Sequence, residues 1–244
     1  MDGAESGSLD DRDAGPSRAF PARVGGVAAP GLDRQSAASA PRQGRSDRPS
    51  GLQKNLPAVV HTLQQAYPQQ EVELWATDQH RIGLKPILRR VWSPRGQRPG
   101  AVVQHRYQWC YLYAFVQPQT GRTWWLLLPT VSIAAFMIAL VEFAQAAGAG
   151  QGKQILLVLD SAGWHVSPQV QAPAGSHLHV LPPYSPELQP AERLWPLTNE
   201  ALANRPFGDV DDLQTVQAAR CLQVQARPEI IAAHTRFHWW PQTA

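Results

Sequence analysis

The sequence predicts an α/β fold built around a mixed β-sheet. The segment QILLVLD at 154–160 is a continuous apolar run, which is typical of a strand buried on both faces. The segments YQWCYLYAFV and TWWLLLP flank QPQTG, which is the pattern of two antiparallel strands joined by a glycine-containing turn. Between the hairpin and the buried strand lies SIAAFMIALVEFAQAAG, a helical pattern with a capping serine and a glycine beyond its end. Helices are therefore expected to flank a sheet of both strand directions.

Residues 1–50 are predicted to be a disordered low-complexity segment. They are rich in Gly, Ser, Ala, Pro, Arg and Asp, and they contain few large apolar residues. Such a segment buries too little surface to offset the entropy lost on ordering. It also has no apolar stretch of the kind found in a secretory signal. Helical spacing begins in LQKNLPAVVHTLQQAYP, so 51–71 is predicted to be a linker helix.

The remaining elements follow in order along the chain. VELWATD at 72–78 is predicted to be a strand that ends on a carboxylate, and HLHVLPP at 177–183 a further short strand. Proline and glycine interrupt RIGLKPILRRVWSPRGQRP, which indicates a loop or a short hairpin. Helical patterns then run from Gln189 to about Asn204 and from Asp211 to about Ala233. We therefore expect a core domain at 72–208 and a helical extension at 209–244 that packs on it.

Several classes of protein are disfavoured by composition. The longest apolar run, around Val131 to Val141, is too short to span a bilayer, so no membrane segment is predicted. Cys110 and Cys221 provide neither a disulfide framework nor a metal-binding quartet, and a reducing cytoplasm is expected. The chain contains no Walker-type or dinucleotide-binding glycine loop.

Basic residues are concentrated in one part of the chain, although the net charge is only +3. No acidic residue lies between Gln79 and Val141. A surface of one sign favours a polyanionic partner, and the alternative is a solvated face balanced by acids elsewhere. The candidate phosphate contacts, with solvated loop charges as the alternative, are Arg89, Arg90, Arg95 and Arg98.

Three acids are candidates for catalysis. Asp78 and Asp160 each follow a predicted strand, where open α/β sheets present their ligand sites. Glu192 lies on the first turn of a predicted helix that begins at Pro190. Three such carboxylates are the minimum set for two hard divalent cations, which together activate a nucleophile and stabilise a leaving oxygen. The alternative is structural, in which each acid caps a turn or accepts from backbone N–H groups.

Two neighbours of these acids have other predicted roles. Glu187 follows Ser185–Pro186 outside the helix and is interpreted as a loop acid. His165 lies five residues after Asp160. A packing or turn-stabilising role is favoured for this histidine over contact with a metal or phosphate.

Three segments resemble the catalytic region of the IS630-type branch of the IS630/Tc1/mariner DDE transposases. They are TDQHRIGLKPILRRVWSPRGQRP, LVLDSAGWH and LPPYSPELQPAERLW, in the order of the family. The resemblance implies an RNase H-like fold in which Asp78, Asp160 and Glu192 bind Mg²⁺ or Mn²⁺, as two ions. It also implies DNA cleavage and strand transfer on transposon ends and target DNA, in a bacterial-type cytoplasm at the nucleoid. A homodimer, or an assembly with full-length transposase, is the expected oligomer.

The sequence also departs from the pattern of this family. Such transposases carry helix-turn-helix domains before the catalytic region, and residues 1–50 resemble none, so a truncated or frame-shifted copy is expected. The alternative function is a non-catalytic remnant that only binds DNA or oligomerises. A further alternative is an RNase H-like nuclease that acts on RNA–DNA hybrids. Pro196, four residues after Glu192, is expected to kink the helix that carries this acid.

Overall fold

The computed structural model describes residues 51–97, 100 and 106–241, together with the backbone of Leu32–Asp33. Except for Leu32 and Asp33, the segment 1–50 that is predicted to be disordered lies outside the described residues. The chain divides into two compact units. One unit contains a two-residue antiparallel ladder between Leu32–Asp33 and Ser93–Pro94. The other contains all the elements that follow.

A five-stranded mixed sheet forms the centre of the larger unit. Its strands are β1 (Glu71–Gly83), β2 (Trp109–Gln117), β3 (Arg122–Leu128), β4 (Lys153–Leu159) and β5 (Ser176–Val180). The order across the sheet is β3-β2-β1-β4-β5. Strand β2 is antiparallel to both of its neighbours, whereas β4 is parallel to β1 and to β5. An antiparallel meander that continues into two parallel strands is the arrangement of the RNase H-like fold, so the predicted fold class is confirmed.

Five α-helices and three short 3₁₀ turns accompany this sheet in the described part of the chain. The helices are α1 (Gly51–Ala66), α2 (Ile133–Ala147), α3 (Trp195–Thr198), α4 (Val210–Gln225) and α5 (Pro228–Thr235). The 3₁₀ turns are Pro186–Leu188, Pro190–Leu194 and Asn199–Ala201. Helix α2 has its predicted caps, because Ser132 accepts a hydrogen bond from the Ala135 N–H and Gly148 has a φ of 77°. None of the described helices is long and apolar enough to cross a membrane.

The two faces of the sheet carry separate cores. Helix α2 covers one face, where Phe143 stacks on Phe115 of β2 with ring centroids 4.1 Å apart. The opposite face is covered by α1, α4, α5 and the 3₁₀ turn that carries Glu192. Leu56 of α1 and Ile231 of α5 are fully buried there. Helix α1, predicted as a linker, therefore contributes to the core.

Two predicted helices are wrong in extent. The helix predicted from Gln189 to Asn204 is instead a 3₁₀ turn, the short helix α3 and a second 3₁₀ turn. Pro196 has no N–H to continue an α-helical ladder across this segment. The helix predicted from Asp211 to Ala233 is interrupted in the same way, since Pro228 begins a new helix, α5.

Candidate active site

Asp78 lies inside strand β1, and the prediction that the strand ends at this residue is wrong. Parallel pairing of β1 with β4 extends to Ala76, which is opposite Val158. Antiparallel pairing with β2 continues on the other side to Gly83, opposite Trp109. The backbone of β1 therefore stays extended after its parallel partner has ended. Asp78 lies just past that point, on a strand held from one side only.

Asp160 directly follows the last residue of β4, as predicted. Continuing the β1–β4 register by two residues places Asp160 opposite Asp78. Neighbouring strands lie about 4.8 Å apart, so this register brings the two acids together. The Ala162 N–H donates to Asp160 Oδ1 over 3.2 Å, which fixes the turn after the strand.

Glu192 lies on the 3₁₀ turn Pro190–Leu194, which packs against β1. Leu194 and Ala191 of this turn are fully buried. Gln189, just before the turn, is 2 % exposed and donates from Nε2 to the Thr77 carbonyl over 2.9 Å. This hydrogen bond ties the segment that carries Glu192 to the residue next to Asp78.

The effect expected of Pro196 on Glu192 takes a different form. The Glu192 carbonyl accepts from the N–H of Trp195, three residues later, in the 3₁₀ pattern. Pro196 lies in the first turn of the new helix α3, where its missing N–H costs nothing. Proline therefore sets the boundary between two helical segments, and the backbone at Glu192 remains hydrogen-bonded.

All three acids line one cavity of about 380 Å³. Its wall is completed by the turn after Asp160 and by a proline-rich loop, namely Ser161, Ala162, Leu181, Pro182, Pro183, Tyr184, Ser185, Pro186 and Gln189. Glu187, interpreted as a loop acid, is not among the lining residues. The structure thus brings Asp78, Asp160 and Glu192 together from two strands and one 3₁₀ turn.

Asp78 is the most deeply buried of these acids, with 9 % of the residue exposed. Its Oδ1 accepts from the Gln79 N–H over 2.8 Å, and its Oδ2 accepts from Trp195 Nε1 over 3.2 Å. Burial, and then the charges of Glu192 and Asp160, raise the pKa of Asp78 to about 7. Burial and the two neighbouring charges therefore favour the protonated form of Asp78 up to about pH 7.

The pKa values of the other two acids are shifted in opposite directions. Burial favours the neutral form of Asp160, but hydrogen bonding to and attraction by His165 hold its pKa below the ordinary value. Burial and the charge of Asp160 raise the pKa of Glu192, while Arg193 opposes that change. Asp160 is thus the acid that stays ionised most readily.

His165 and Trp195 each support one of the aspartates. His165 Nδ1 lies 2.5 Å from Asp160 Oδ1, and its ring packs against Phe136 at 4.3 Å between centroids. Trp195 stacks on His80 at 4.9 Å with an interplanar angle of 14° while its indole N–H reaches Asp78. The packing role predicted for His165 agrees with this geometry. The hydrogen bonds of both residues to the acids were not foreseen.

A sequence profile described as DDE superfamily endonuclease matches residues 73–214 of the chain, a range that contains all three acids. The chain belongs to this family. The predicted resemblance to DDE transposases is thereby confirmed. An uncharacterized protein, y4pE/y4sA of Sinorhizobium fredii (strain NBRC 101917 / NGR234), is 38 % identical over 108 residues, which are 44 % of this chain and 78 % of that protein.

Solved structures of Mos1 transposase are also similar to this DDE endonuclease. A pre-cleavage Mos1 transpososome is 14 % identical, with a TM-score of 0.48 over 83 % of this chain and 67 % of that chain. The Mos1 paired-end complex with the left transposon end is 16 % identical, with a TM-score of 0.46, and the match covers 83 % of this chain and 68 % of that chain. The catalytic domain of Mos1 mariner transposase is 14 % identical, with a TM-score of 0.41, and the match covers 80 % of this chain and 100 % of that chain.

Three of the four candidate phosphate contacts of the endonuclease lie within the described residues. Arg89 donates from its guanidinium to the Pro196 carbonyl over 2.9 Å, so part of its donor capacity is used within the fold. Arg90 is exposed nearby in the chain. Arg95 belongs to the smaller compact unit, and Arg98 lies outside the described residues. DNA contact by these arginines stays a prediction.

The donor set of the cavity suits a hard divalent cation, since all three acids offer carboxylate oxygens. In the described residues, no three His, Cys, Asp or Glu side chains are grouped tightly enough to hold one ion as they stand. The charge of Asp160 nevertheless raises the pKa of both Asp78 and Glu192 across the shared cavity, and the charge of Glu192 raises the pKa of Asp78 further. Positive charge placed between them would relieve that repulsion, so the electrostatics fit a cation as well as the donor chemistry does.

The metal-free endonuclease is expected to lose stability as the pH rises from about 4 to about 7. The folded state keeps the Asp78 proton up to about pH 7, whereas the unfolded chain releases it near the ordinary pKa of 3.8, so rising pH favours unfolding. Asp78→Asn removes this titration. Between pH 5 and pH 8, we expect the free energy of unfolding of the variant to rise by about 1–3 kcal/mol relative to that of wild type. Thermal unfolding in EDTA measures this, and parallel pH profiles would contradict it.

Proposed function

We propose that this protein is a metal-dependent DNA endonuclease and strand transferase, the catalytic domain of a DDE transposase. The observation that carries the proposal is the convergence of Asp78, Asp160 and Glu192 on one cavity at the end of the β1–β4 pair. Membership of the DDE endonuclease family supports the nuclease chemistry. The IS630-type assignment rests on the three sequence segments that resemble that branch.

The cofactor in this proposal is Mg²⁺ or Mn²⁺, as two ions held by the three carboxylates. Bound cations would activate a water or a DNA 3′-hydroxyl for in-line attack on phosphorus and stabilise the leaving oxygen. Asp78 must give up its proton to become a ligand, because its pKa is about 7 in the absence of cations. Binding of the cofactor is therefore expected to release protons, and to do so most strongly below neutral pH.

The chain's own residues keep the site in shape for this reaction. His165 holds one oxygen of Asp160, which leaves the other oxygen of that carboxylate available to the cavity. Trp195 and the Gln79 N–H each occupy one oxygen of Asp78. Gln189 fixes the turn with Glu192 against β1. The segments that carry the three carboxylates are thus held in place before any substrate arrives, which favours phosphoryl transfer because less ordering is needed at the moment of reaction.

The proposed partners are transposon-end DNA and target DNA, bound by a homodimer or by an assembly with full-length transposase. The excess of basic residues between Gln79 and Val141 supports a polyanionic partner. Arg89, Arg90, Arg95 and Arg98 are the proposed phosphate contacts. Affinity that falls steeply with salt concentration would agree with contacts of this kind.

The test is a cleavage assay on duplex DNA that carries the ends of the element, with Mg²⁺, Mn²⁺ or EDTA. We expect cleavage with either metal ion and none in EDTA. An RNA–DNA hybrid of the same sequence is included, and preferential cleavage of its RNA strand would identify the RNase H-like alternative. Binding of the duplex without cleavage under any condition would contradict the proposal and favour the non-catalytic remnant.

A further inference from the structure

Tyr184 is a fully exposed tyrosine at the wall of the carboxylate cavity. Its relative exposure is 100 %, the highest among the large hydrophobic residues recorded as exposed in the described part of the chain. Its φ is 58°, in the left-handed region that side chains other than glycine rarely adopt. A ring that lies wholly in solvent does not stabilise the fold by packing, so packing does not explain the left-handed backbone at this residue. Strain of this kind persists where the surrounding structure imposes it, and it is concentrated at functional sites.

The loop around Tyr184 is anchored at both ends. Before it, the Leu181 N–H donates to the Leu159 carbonyl over 2.7 Å, and Ser161 Oγ donates to the Leu181 carbonyl over 2.5 Å. After it, the Leu188 N–H donates to the Ser185 carbonyl over 3.0 Å. Prolines at 182, 183 and 186 restrict the intervening backbone. The ring is therefore presented from a rigid loop that is fastened to the residue after Asp160.

We infer that Tyr184 stacks on an unpaired nucleobase next to the phosphate at which the proposed reaction takes place among the three acids. This inference rests on the proposed function and names a contact of that same site. Tyr184 lines the cavity together with Asp78, Asp160 and Glu192, so a base adjoining a phosphate in the cavity comes within reach of the ring. Aromatic side chains bind bases through their faces, without regard to sequence.

The nucleobase must be unpaired because a base inside a duplex already has both faces covered. A nucleotide at a strand end, a nick or a flipped position has a free face. Stacking on Tyr184 would keep such a nucleotide in place while its phosphate lies among the carboxylates. The loop is ordered in advance by its prolines and anchors, so little conformational entropy is lost when the base binds.

The test is equilibrium binding to a duplex with a short single-stranded thymidine tail, compared with the same duplex carrying an abasic tail. Fluorescence anisotropy is measured in Ca²⁺, so that affinity is read without turnover. We expect wild type to prefer the thymidine tail roughly 5- to 100-fold. Tyr184→Ala should bind both tails alike, and Tyr184→Phe should keep the preference because it keeps the ring.

Two features make the outcome decisive. The ring of Tyr184 is wholly exposed, so Tyr184→Ala is expected to unfold at the wild-type temperature. Tyr107→Ala is the matched control, since Tyr107 is also exposed, at 78 %, but does not line the cavity. Retention of the base preference by Tyr184→Ala, or its loss in Tyr184→Phe or in Tyr107→Ala, would overturn the stacking inference alone. Failure of wild type to bind or cleave any DNA would overturn the proposed function as well.

Discussion

Asp160→Asn is expected to reduce metal-dependent DNA cleavage by about a thousandfold or more, which corresponds to about 4 kcal/mol in the barrier. Among the three acids, Asp160 keeps its charge most readily, because His165 lowers its pKa. The amide has nearly the same shape but carries no negative charge to hold a cation. The rate of strand cleavage at saturating Mg²⁺ measures the effect. Asp78→Asn and Glu192→Gln are expected to act in the same direction.

Glu187→Gln is the matched control for these variants. Glu187 lies in the same proline-rich motif, five residues before Glu192, but it does not line the cavity. Cleavage by this variant should stay within about twofold of wild type. Cleavage that survives in Asp160→Asn, or that is lost in Glu187→Gln, would show that the wrong carboxylates have been assigned to the reaction.

Trp195→Ala is expected to lower both stability and activity. The residue is 8 % exposed, and removal of a buried tryptophan costs about 3–5 kcal/mol of unfolding free energy. The variant also loses the stack on His80 and the hydrogen bond to Asp78 Oδ2. Chemical denaturation measures the first loss, and cleavage at a temperature where the variant is folded measures the second.

Trp195→Phe separates positioning of Asp78 from packing. Phenylalanine keeps an aromatic ring against His80 but cannot donate a hydrogen bond to the carboxylate. A hydrogen bond to a charged group contributes about 1.5–3 kcal/mol, so we expect roughly a 10- to 100-fold fall in cleavage with a smaller loss of stability. The Mn²⁺ concentration for half-maximal activity should also shift, which a purely structural role would not cause. Wild-type activity with an unchanged Mn²⁺ dependence would restrict Trp195 to packing.

Elements governed by local patterns could be predicted from the sequence. The buried strand β4, the β2–β3 hairpin and helix α2 with its caps each have a strong apolar period or a specific end residue. The end of β1 could not be predicted in this way. Its second half is held by β2, which lies some thirty residues further along the chain, and no local pattern reports such a partner. The helix break at Pro228 had a local signal, since proline starts helices more readily than it continues them.

The three acids of the site could be predicted from the sequence, but the cavity that they line and the side chains that hold them could not. The predicted strand ends and helix start indicated Asp78, Asp160 and Glu192, and the resemblance to DDE transposases implied the same three residues. The side chains that hold these acids come from distant parts of the chain, as with Trp195 and Asp78, which are 117 residues apart. Tyr184 did have a signal, because an aromatic residue between prolines in a loop is poorly placed to join a core. Its exposure and left-handed backbone became visible only in three dimensions.

The most direct measurement is anomalous diffraction from crystals of this protein soaked in Mn²⁺. The predicted result is one or two anomalous peaks in the cavity, at about 2.1–2.3 Å from carboxylate oxygens of Asp78, Asp160 and Glu192. The same soak of Asp160→Asn should lose them. Peaks found only elsewhere on the molecule, or no peak in the wild-type cavity at pH 8 where Asp78 is ionised, would contradict the assignment of this site as a divalent-metal centre.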